Sequence, residues 1–385
     1  LVVEYSAHPA AKLHVGSAVY DLSKIAGGVT EIMPAYRPVK VKVVDKASRT
    51  PVGVRIHFHG AAGEYLPPKG YHRTVNRTWF EDNYGEFVNG LNQYCYIPGE
   101  CVADLPLGEV FVEINRGYEV APIRTTIEIT PDTEELEFEL ERVLHWRRDG
   151  WVTADTHVHF LTPQTARLEG EAEGVNVVNL LASQWGEMFS NVSDFDGHTT
   201  IGARDFGGDG EFLVRVGTEN RMQVLGHISL LGYSGAMIHP LCSGGPSESA
   251  LGDPQELSMA EWAQRCIDQG GLVIWCHNGR GMEAPVAAAL GKLDAFNLFD
   301  PFWMDPEYDL WYKLLNCGLH LPASTGTDWF VCSNNRVYVQ TENDFSYANW
   351  IDGMKAGRTF ITNGPAVDLK LNEQPMGATV EFNGD

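Results

Sequence analysis

The segment WVTADTHVHF, residues 151–160, places Asp155, His157 and His159 at alternate positions behind an apolar start. Alternate residues of a β-strand point to the same face of the sheet, and their Cα atoms lie about 6.5–7 Å apart. Two imidazoles on one face can close on one metal ion, with the carboxylate beside them as a ligand or as a hydrogen-bond partner. The same pattern also fits a polar strand end whose histidines face water, so the rest of the chain has to decide.

The composition is that of a globular, acidic protein. The chain has 385 residues, which is enough for two or three domains. Its 51 acidic residues against 28 basic ones, without a run of Lys or Arg, argue against a nucleic-acid partner. No apolar stretch has the length of a membrane span, so we expect no membrane partner.

Compartment and oligomeric state stay open. The chain starts without Met and stops inside a β-like segment, so we expect a fragment or a processed form of a cytoplasmic, secreted or periplasmic protein. The seven cysteines are scattered. Cys95 and Cys101 flank a turn and could pair, but the spacing does not indicate a disulfide framework.

The chain divides into four segments with different residue patterns. Residues 1–35 form an N-terminal segment without a clear pattern. Residues 36–145 are short β segments broken by Pro and Gly, which predicts a β-sandwich of about one hundred residues. In residues 146–365 strands and helices alternate, which predicts a parallel α/β domain, either a barrel or an open sheet. Residues 366–385 return to β patterning and indicate the truncated start of a C-terminal β segment.

The β-sandwich segment contains a second HxH pair in RIHFHG, at His57 and His59. Alternation places Ile56 and Phe58 toward the core and the two histidines on the other face. No acidic or histidine-bearing strand end nearby completes a site. We therefore interpret this pair as a half-solvated outer face of the sandwich.

Strand ends in the α/β domain carry the residues that suit a metal. In parallel α/β folds the active site lies where strands end, and the apolar runs here end in residue types that ligate metals. These are Asp155, His157, His159, Glu219, His277 and Asp328. His227 starts a run shortly after Glu219, consistent with a turn back beside it. Cys276 precedes His277 on the same strand and should point to the other face, so we interpret it as a core residue.

Four histidines and two carboxylates are enough for two cations that share a bridging carboxylate. Donor sets rich in nitrogen with added carboxylates suit Zn²⁺, Mn²⁺ or Fe²⁺, and the sequence does not choose among them. We therefore expect two divalent transition-metal ions as cofactors.

Five segments together resemble the PHP (polymerase and histidinol phosphatase) metallohydrolases, and most closely the branch typified by carbaryl hydrolase, often labelled CehA/McbA. They are DTHVH, GTENRMQVLGHISLLG, WCHNGRGMEAP, TGTD and AGRTFITNGP. The similarity covers about residues 36–370. It implies an α/β fold, a distorted (β/α)₇ TIM-like barrel preceded by a β-sandwich domain.

The resemblance also implies a ligand set. One metal takes His157, His159, Glu219 and Asp328; the other takes Glu219 as the bridge, His227 and His277. Members with three metals need further ligands. Gln184 and Phe330 stand where two of those are expected, and the loop after HVH has no His. All of these departures remove ligands of the same third metal, so the resemblance implies a binuclear centre.

The expected activity is hydrolysis of a carbamate, ester or amide bond of a small molecule by a hydroxide held on the metals. Asp328 would accept the proton of the water, and Asp155 would hold His157 or His159 in the correct tautomer. Arg280 would stabilise a developing oxyanion or is an ordinary surface arginine. Aromatic residues near the site, without a Lys/Arg cluster, favour these bonds over phosphoesters. A phosphoesterase and a metal-depleted, non-enzymatic binding protein are the alternatives.

Overall fold

The computed structural model shows a chain that is mostly β, with 40% strand and 19% helix. Within the described residues, no helix is both long and apolar enough to cross a membrane. Arg280 lies outside the described residues, so its predicted role is not placed. The described residues are 10, 12–15, 17–24, 36–70, 87–89, 92–185, 188–222, 224–240, 242–243, 257–277, 281–300, 305–331, 335–342 and 344–381.

The first part of the chain forms a hairpin and a two-sheet sandwich. Its elements are β1 (Lys12–Val15), β2 (Ala18–Asp21), a 3₁₀ turn (Leu22–Lys24), β3 (Tyr36–Asp45), β4 (Val54–Gly60), β5 (Phe87–Asn89), β6 (Asn92–Ile97), β7 (Glu100–Pro106), β8 (Gly108–Asn115), β9 (Ile123–Ile129) and β10 (Glu135–Leu140). The sheets have the strand orders β10-β3-β7 and β5-β6-β4-β8-β9. Alternating apolar residues such as Val41, Ile56 and Phe58 form one buried cluster, as expected for two sheets that pack face to face.

Cys95 and Cys101 lie on β6 and β7, in different sheets of the sandwich, and both are free thiols. The possible pairing across the YIPGE turn is therefore absent. The second HxH pair lies on the outer face of β4, as alternation predicts. Nε2 of His57 lies 3.1 Å from Nδ1 of His59, and the ring of His59 stacks on Phe111. Among the described residues, neither histidine belongs to a side-chain group that could hold a metal.

The second part begins after a 3₁₀ turn at Trp146–Asp149 and contains the larger sheet and all five helices of the described residues. Its elements are β11 (Trp151–Val158), α1 (Pro163–Ala172), β12 (Val177–Trp185), β13 (Met188–Ser190), 3₁₀ turns at Val192–Asp194 and Arg204–Phe206, β14 (Thr200–Ile201), β15 (Leu213–Met222), β16 (Gly226–Leu231), β17 (Cys242–Ser243), α2 (Met259–Asp268), β18 (Leu272–Cys276), α3 (Ala284–Ala289), β19 (Ala295–Asn297), α4 (Asp305–Asn316), β20 (Ala323–Ser324), β21 (Arg336–Gln340), α5 (Tyr347–Lys355), β22 (Thr359–Thr362), β23 (Lys370–Leu371) and β24 (Gln374–Pro375).

The central sheet has the strand order β20-β19-β18-β16-β15-β12-β11-β21-β22. The parallel α/β expectation holds for β11-α1-β12, for β12 beside β15, and for the run β18-α3-β19-α4-β20. In contrast, β16 runs antiparallel to both of its neighbours, and β21 and β22 are also antiparallel. The sheet is therefore mixed, and β15 and β16 form an antiparallel hairpin, which agrees with the expected turn back between Glu219 and His227.

The two ends of this sheet approach each other, so that it is nearly closed. After β20, residues 325–329 run beside the end of β11: the amide of Asp328 donates to the carbonyl of His157 at 2.8 Å, and the amide of His159 donates to that of Trp329 at 2.6 Å. This approach requires a glycine at position 326, because a Cβ atom there would lie 2.3 Å from the Cβ of His157. Asp328 is thereby fixed next to the HxH motif.

One face of the sheet, which we call the inner face, is apolar at one end and polar at the other. A buried cluster that includes Val152, Leu231 and Ile274 fills the apolar end. Residues directly opposite in an antiparallel pair share a face. Because Leu231, two residues after Ser229, faces inward, Ser229 and its cross-strand partner Glu219 do as well. The chain therefore brings its polar side chains to one end of a largely apolar interior.

Candidate metal centre

The six residues predicted to bind metal converge at the polar end of the inner face. They are His157 in β11, His159 just after it, Glu219 in β15, His227 in β16, His277 just after β18, and Asp328 after β20. The side chains of His157, His159 and Glu219 are fully buried, whereas those of Asp328 and His277 are 13% and 12% exposed. Solvent therefore reaches the cluster on the side of Asp328 and His277.

The HxH motif and Asp328 form one group of donors. Nε2 of His157 lies 2.9 Å from Nε2 of His159 and 3.2 Å from Oδ1 of Asp328. Oδ1 of Asp328 also lies 3.4 Å from Nε2 of His277. Two imidazole nitrogens and a carboxylate oxygen that face one another at these distances are a donor set that suits a transition-metal cation.

Glu219 directs its two carboxylate oxygens to different histidines. Oε2 lies 3.2 Å from Nε2 of His159. Oε1 lies 3.2 Å from Nδ1 of His227 and 3.4 Å from Nε2 of His277. Oε1 also lies 3.7 Å from Nε2 of His157, so the carboxylate faces all four histidines and is placed either to ligate one cation or to bridge two.

Several of these atoms are buried without a well-directed hydrogen bond within the described residues. They are both carboxylate oxygens of Glu219, Nε2 of His277 and Oδ1 of Asp328. Buried polar atoms are nearly always satisfied, because desolvation without a partner costs about 1–3 kcal/mol for each. Donor atoms that converge but do not satisfy one another fit a site that holds cations.

The local field keeps the carboxylates ionised. Burial alone raises the pKa of Glu219, but Arg221 and His157 outweigh it and hold this pKa well below its usual value. Burial lowers the pKa of His277, while Asp328 and Glu219 raise it well above the ordinary histidine value. The same carboxylates that attract protons to the imidazoles would attract a metal cation, whose binding releases those protons.

The expected role of Asp155 is wrong. Its Oδ1 accepts hydrogen bonds from the backbone amides of His157, at 3.0 Å, and Thr327, at 3.1 Å, rather than from an imidazole. Burial raises the pKa of Asp155 to about 7 in spite of these bonds. The sequence argument failed because the pairing of β11 with β12 shifts register between Asp155 and Val158. Asp155 therefore ties the HxH strand to the Asp328 segment through the backbone.

The carboxylate that orients His157 is Asp300, which the sequence analysis missed. Its Oδ2 lies 3.0 Å from Nδ1 of His157 and accepts a hydrogen bond from Nδ2 of Asn297 at 2.6 Å. Asp300 is fully buried and comes directly after the predicted strand LDAFNLF. The rule that strand ends carry the chemistry would have found it if it had been applied to that strand.

Two strand predictions near the centre need correction. Cys276 lies on the inner face, because it is the cross-strand partner of His227, and His277 joins it there only because the strand ends before it. Glu219 lies within β15, which continues to Met222, rather than at its end. It reaches the site because β16 folds back beside it.

The backbone is strained at the ends of the two segments that carry donors. Asp328 and Phe160, neither of which is a glycine, have φ angles of +59° and +64°. Such conformations cost about 1–3 kcal/mol each and persist only where the surroundings impose them. At Asp328 the bonds to β11 impose this conformation, which fixes the carboxylate beside His157.

Other residues near the motifs have structural roles. The carboxylate of Glu283 accepts hydrogen bonds from the amides of Met259 and Ala260 at the start of α2. The hydroxyl of Tyr233 forms a buried hydrogen bond with the hydroxyl of Thr218, with 3.3 Å between the two oxygens. Arg221 lies on the inner face with its Nε 3.8 Å from Oε1 of Glu219, so it supports the charge of that carboxylate.

No family model matches the chain, and no curated protein matches it. Two solved structures show weak similarity. The crystal structure of PsfC from Pseudomonas syringae PB-5123 matches at 14% identity over 55% of this chain and 91% of PsfC, with a TM-score of 0.39. A Streptococcal ancillary pilin matches at 15% identity over 37% of this chain and 43% of the pilin, with a TM-score of 0.20. Similarity at this level carries no function, so the functional proposal rests on the site.

Proposed function

We propose that the chain is a binuclear metal-dependent hydrolase of the PHP superfamily, of the carbaryl hydrolase branch, that cleaves carbamate, ester or amide bonds of a small molecule. The observation that carries this proposal is the convergence of four histidines and two carboxylates from separate strands. On this proposal, the nearly closed sheet is a distorted (β/α)₇ barrel, with His159, His277 and Asp328 just beyond the carboxyl ends of β11, β18 and β20.

The donors divide into two sets that share Glu219. His157, His159 and Asp328 would hold one cation with Oε2 of Glu219, and His227 and His277 would hold the other with Oε1. Divalent cations there would supply Lewis acidity, which activates water near neutral pH and polarises a carbonyl or phosphoryl oxygen. The residue types suit zinc, manganese or iron.

The residues of the chain position the reaction. Asp328 is the carboxylate of the set that solvent reaches, so it is placed to accept the proton of the attacking water. Asp300 holds His157 through Nδ1, which leaves Nε2 to face the centre. Burial of His159 and Glu219 excludes water from the opposite side.

The surroundings of Asp328 favour an apolar leaving group. Phe160 and Trp329 follow His159 and Asp328 in the chain, and their rings lie 5.4 Å apart beside the cluster. Such a pair suits an aryl group better than a phosphate. The phosphoesterase alternative has one observation in its favour, the buried guanidinium of Arg221 near Glu219, since arginine recognises phosphate.

The first experiment compares the metal content of two matched double variants. His157→Ala with His159→Ala removes the HxH pair of the site, and His57→Ala with His59→Ala removes the HxH pair of the sandwich. We expect about two transition-metal ions per chain in the wild type and in the sandwich variant, with both or nearly both ions lost in the site variant. Equal metal content in both variants, or none in the wild type after reconstitution, would support the binding-protein alternative.

Substrate class is tested on the reconstituted protein with aryl carbamates, aryl esters and aryl phosphates that share one phenol leaving group, and with anilides of the matching arylamine. We expect turnover of the first three and little of the phosphate. Activity confined to the phosphate would transfer the assignment to a phosphoesterase without affecting the metal centre.

A further inference from the structure

Cys276 lies on the inner face, within the centre. It is the cross-strand partner of His227, which is in turn the partner of Arg221 on β15. Glu219 shares the face of Arg221, because the two are alternate residues of one strand. The pleat therefore directs Cys276 to the side of Glu219 and away from Trp275, which packs among the apolar residues of the opposite face.

The thiol is close enough to the other donors to share a cation with them. Sγ of Cys276 and donor atoms of His157, Glu219 and His277 all lie within 4.8 Å of one another. The side chain of Cys276 is fully buried. A cation at the centre of this group would be within coordination distance of sulfur, nitrogen and oxygen after small rotations of the side chains.

A second observation points to a ligand at this place, independently of the cysteine. Both oxygens of Glu219 and Nε2 of His277 are buried polar atoms without a well-directed hydrogen bond in the described part of the chain. Cys266, which is equally buried, differs in this respect: its Sγ donates to the carbonyl of Leu272 at 3.7 Å, and among the described residues it belongs to no group that could hold a metal. Burial alone thus does not explain the surroundings of Cys276.

We propose that Cys276 is a thiolate ligand of the cation held by Glu219 and His277, and that it gives this position a preference for zinc over manganese. This inference rests on the proposed function and deepens it. The thiol loses its proton to solvent when the sulfur–metal bond forms. Soft thiolate ligands select zinc, whereas manganese prefers oxygen donors. The two positions would then differ in chemistry, one with sulfur and the other with nitrogen and oxygen only.

X-ray absorption of the zinc-loaded wild-type chain tests the bond without any variant. We expect a zinc–sulfur shell at about 2.3 Å beside the nitrogen and oxygen shell. Two bound zinc ions with nitrogen and oxygen neighbours alone would overturn the role of Cys276 and leave the hydrolase proposal intact. Absence of stoichiometric zinc would count against the hydrolase proposal as well, so the two failures are distinct.

Cobalt substitution assigns the sulfur to a residue. Cobalt-loaded wild type should show thiolate-to-cobalt charge transfer in the near ultraviolet, which Cys276→Ser should lose and the matched Cys266→Ser should keep. Ligand-field absorption in the visible range reports that cobalt is still bound. Persistence of the charge-transfer band in Cys276→Ser would overturn the proposal.

Metal preference provides the functional readout. In Cys276→Asp a hard oxygen donor replaces sulfur, so the zinc-to-manganese ratio at equal free concentrations should fall. Loss of a partner outside the ligand set already costs about 10–100-fold in metal affinity, so replacement of a ligand should lower the affinity for zinc by at least that factor, while the affinity for manganese, which prefers oxygen donors, should fall less. An unchanged ratio in a variant that still binds two ions would contradict the inference.

Discussion

Asp300 and Asp155 are two buried carboxylates close to the HxH motif that do different work. Asp300 contacts the imidazole of His157, whereas Asp155 contacts backbone amides. Only the first can fix which imidazole nitrogen faces the centre, because the tautomer follows the partner of the other nitrogen. The distinction depends on a contact across 143 positions of the chain, which spacing within DTHVH does not reveal.

Asp300→Asn should weaken metal binding by about 10–100-fold, because the amide is a poorer acceptor for Nδ1–H of His157 and removes a negative charge beside it. Affinity is measured by competition with a chelator. The matched control is Asp294→Asn, since Asp294 is mostly buried but accepts only a backbone bond, from the amide of Val273 at 2.8 Å. If both variants bind metal as the wild type does, Asp300 does not orient His157.

The residue types of the site were predictable from sequence, and their partners were only partly so. Alternation and strand ends identified His157, Glu219 and Asp328, because the pleat and the polarity of strand ends are local properties. Cys276 was assigned to the wrong face, because the strand ends between Cys276 and His277. If the end of a strand is misplaced by one residue, a neighbouring residue is predicted on the wrong face of the sheet.

At the scale of elements, the segment 325–329 has the largest influence on the site. It has no regular secondary structure beyond a single bridge, yet its backbone bonds to β11 close the sheet and place Asp328. The sequence TGTD predicted a ligand but not this closure. The close approach is possible because Gly326 has no side chain. A glycine adds nothing to the periodic pattern of apolar and polar side chains, so that pattern did not reveal the approach.

Gly326→Ala should displace this segment from β11, because the new Cβ would lie 2.3 Å from that of His157 and 2.8 Å from its backbone nitrogen. We expect loss of at least one metal ion per chain and a lower midpoint of thermal unfolding. Gly364→Ala is the control, because no atom lies within 4 Å of a Cβ there and its φ is not positive. Full metal content in Gly326→Ala would show that Asp328 does not need the close approach.

At the scale of the molecule, the sandwich and the larger sheet meet at the end of α1. The carboxylate of Glu173 accepts hydrogen bonds from Arg55 at 2.9 Å and Tyr96 at 2.8 Å, both in the sandwich, and from Arg336 in β21 at 3.4 Å. Only 5% of its side chain is exposed. One carboxylate thus links both parts of the chain to the strand next to β11.

Glu173→Gln should lower the free energy of unfolding by about 3 kcal/mol, because it leaves the buried guanidinium of Arg336 and the partly buried guanidinium of Arg55 without their counter-charge. Urea denaturation followed by tryptophan fluorescence measures the change. Glu139→Gln, which removes a partner of the exposed Arg49, should cost about 0–1 kcal/mol. Equal costs for the two variants would mean that the junction is solvated in solution.

The division into a β-sandwich and a strand–helix region followed from composition and periodicity alone, since each region repeats its own local pattern. The way the regions meet did not. Arg55, Glu173 and Arg336 are separated by more than one hundred positions, and each taken alone reads as an ordinary charged surface residue. The antiparallel direction of β21 and β22 was likewise hidden, because a strand pattern does not encode direction.

The contacts of Glu173 limit how the sandwich and the larger sheet can be recombined with other domains. A barrel grafted onto a different sandwich would bring Glu173 and Arg336 to a surface without the matching Arg55 and Tyr96. Gly117 would have to be matched too, since its backbone lies so close to Glu173 that a Cβ would meet the Glu173 carbonyl at 2.5 Å. The two halves are therefore expected to be inherited as one recombination unit, with the larger sheet kept together with its own β-sandwich.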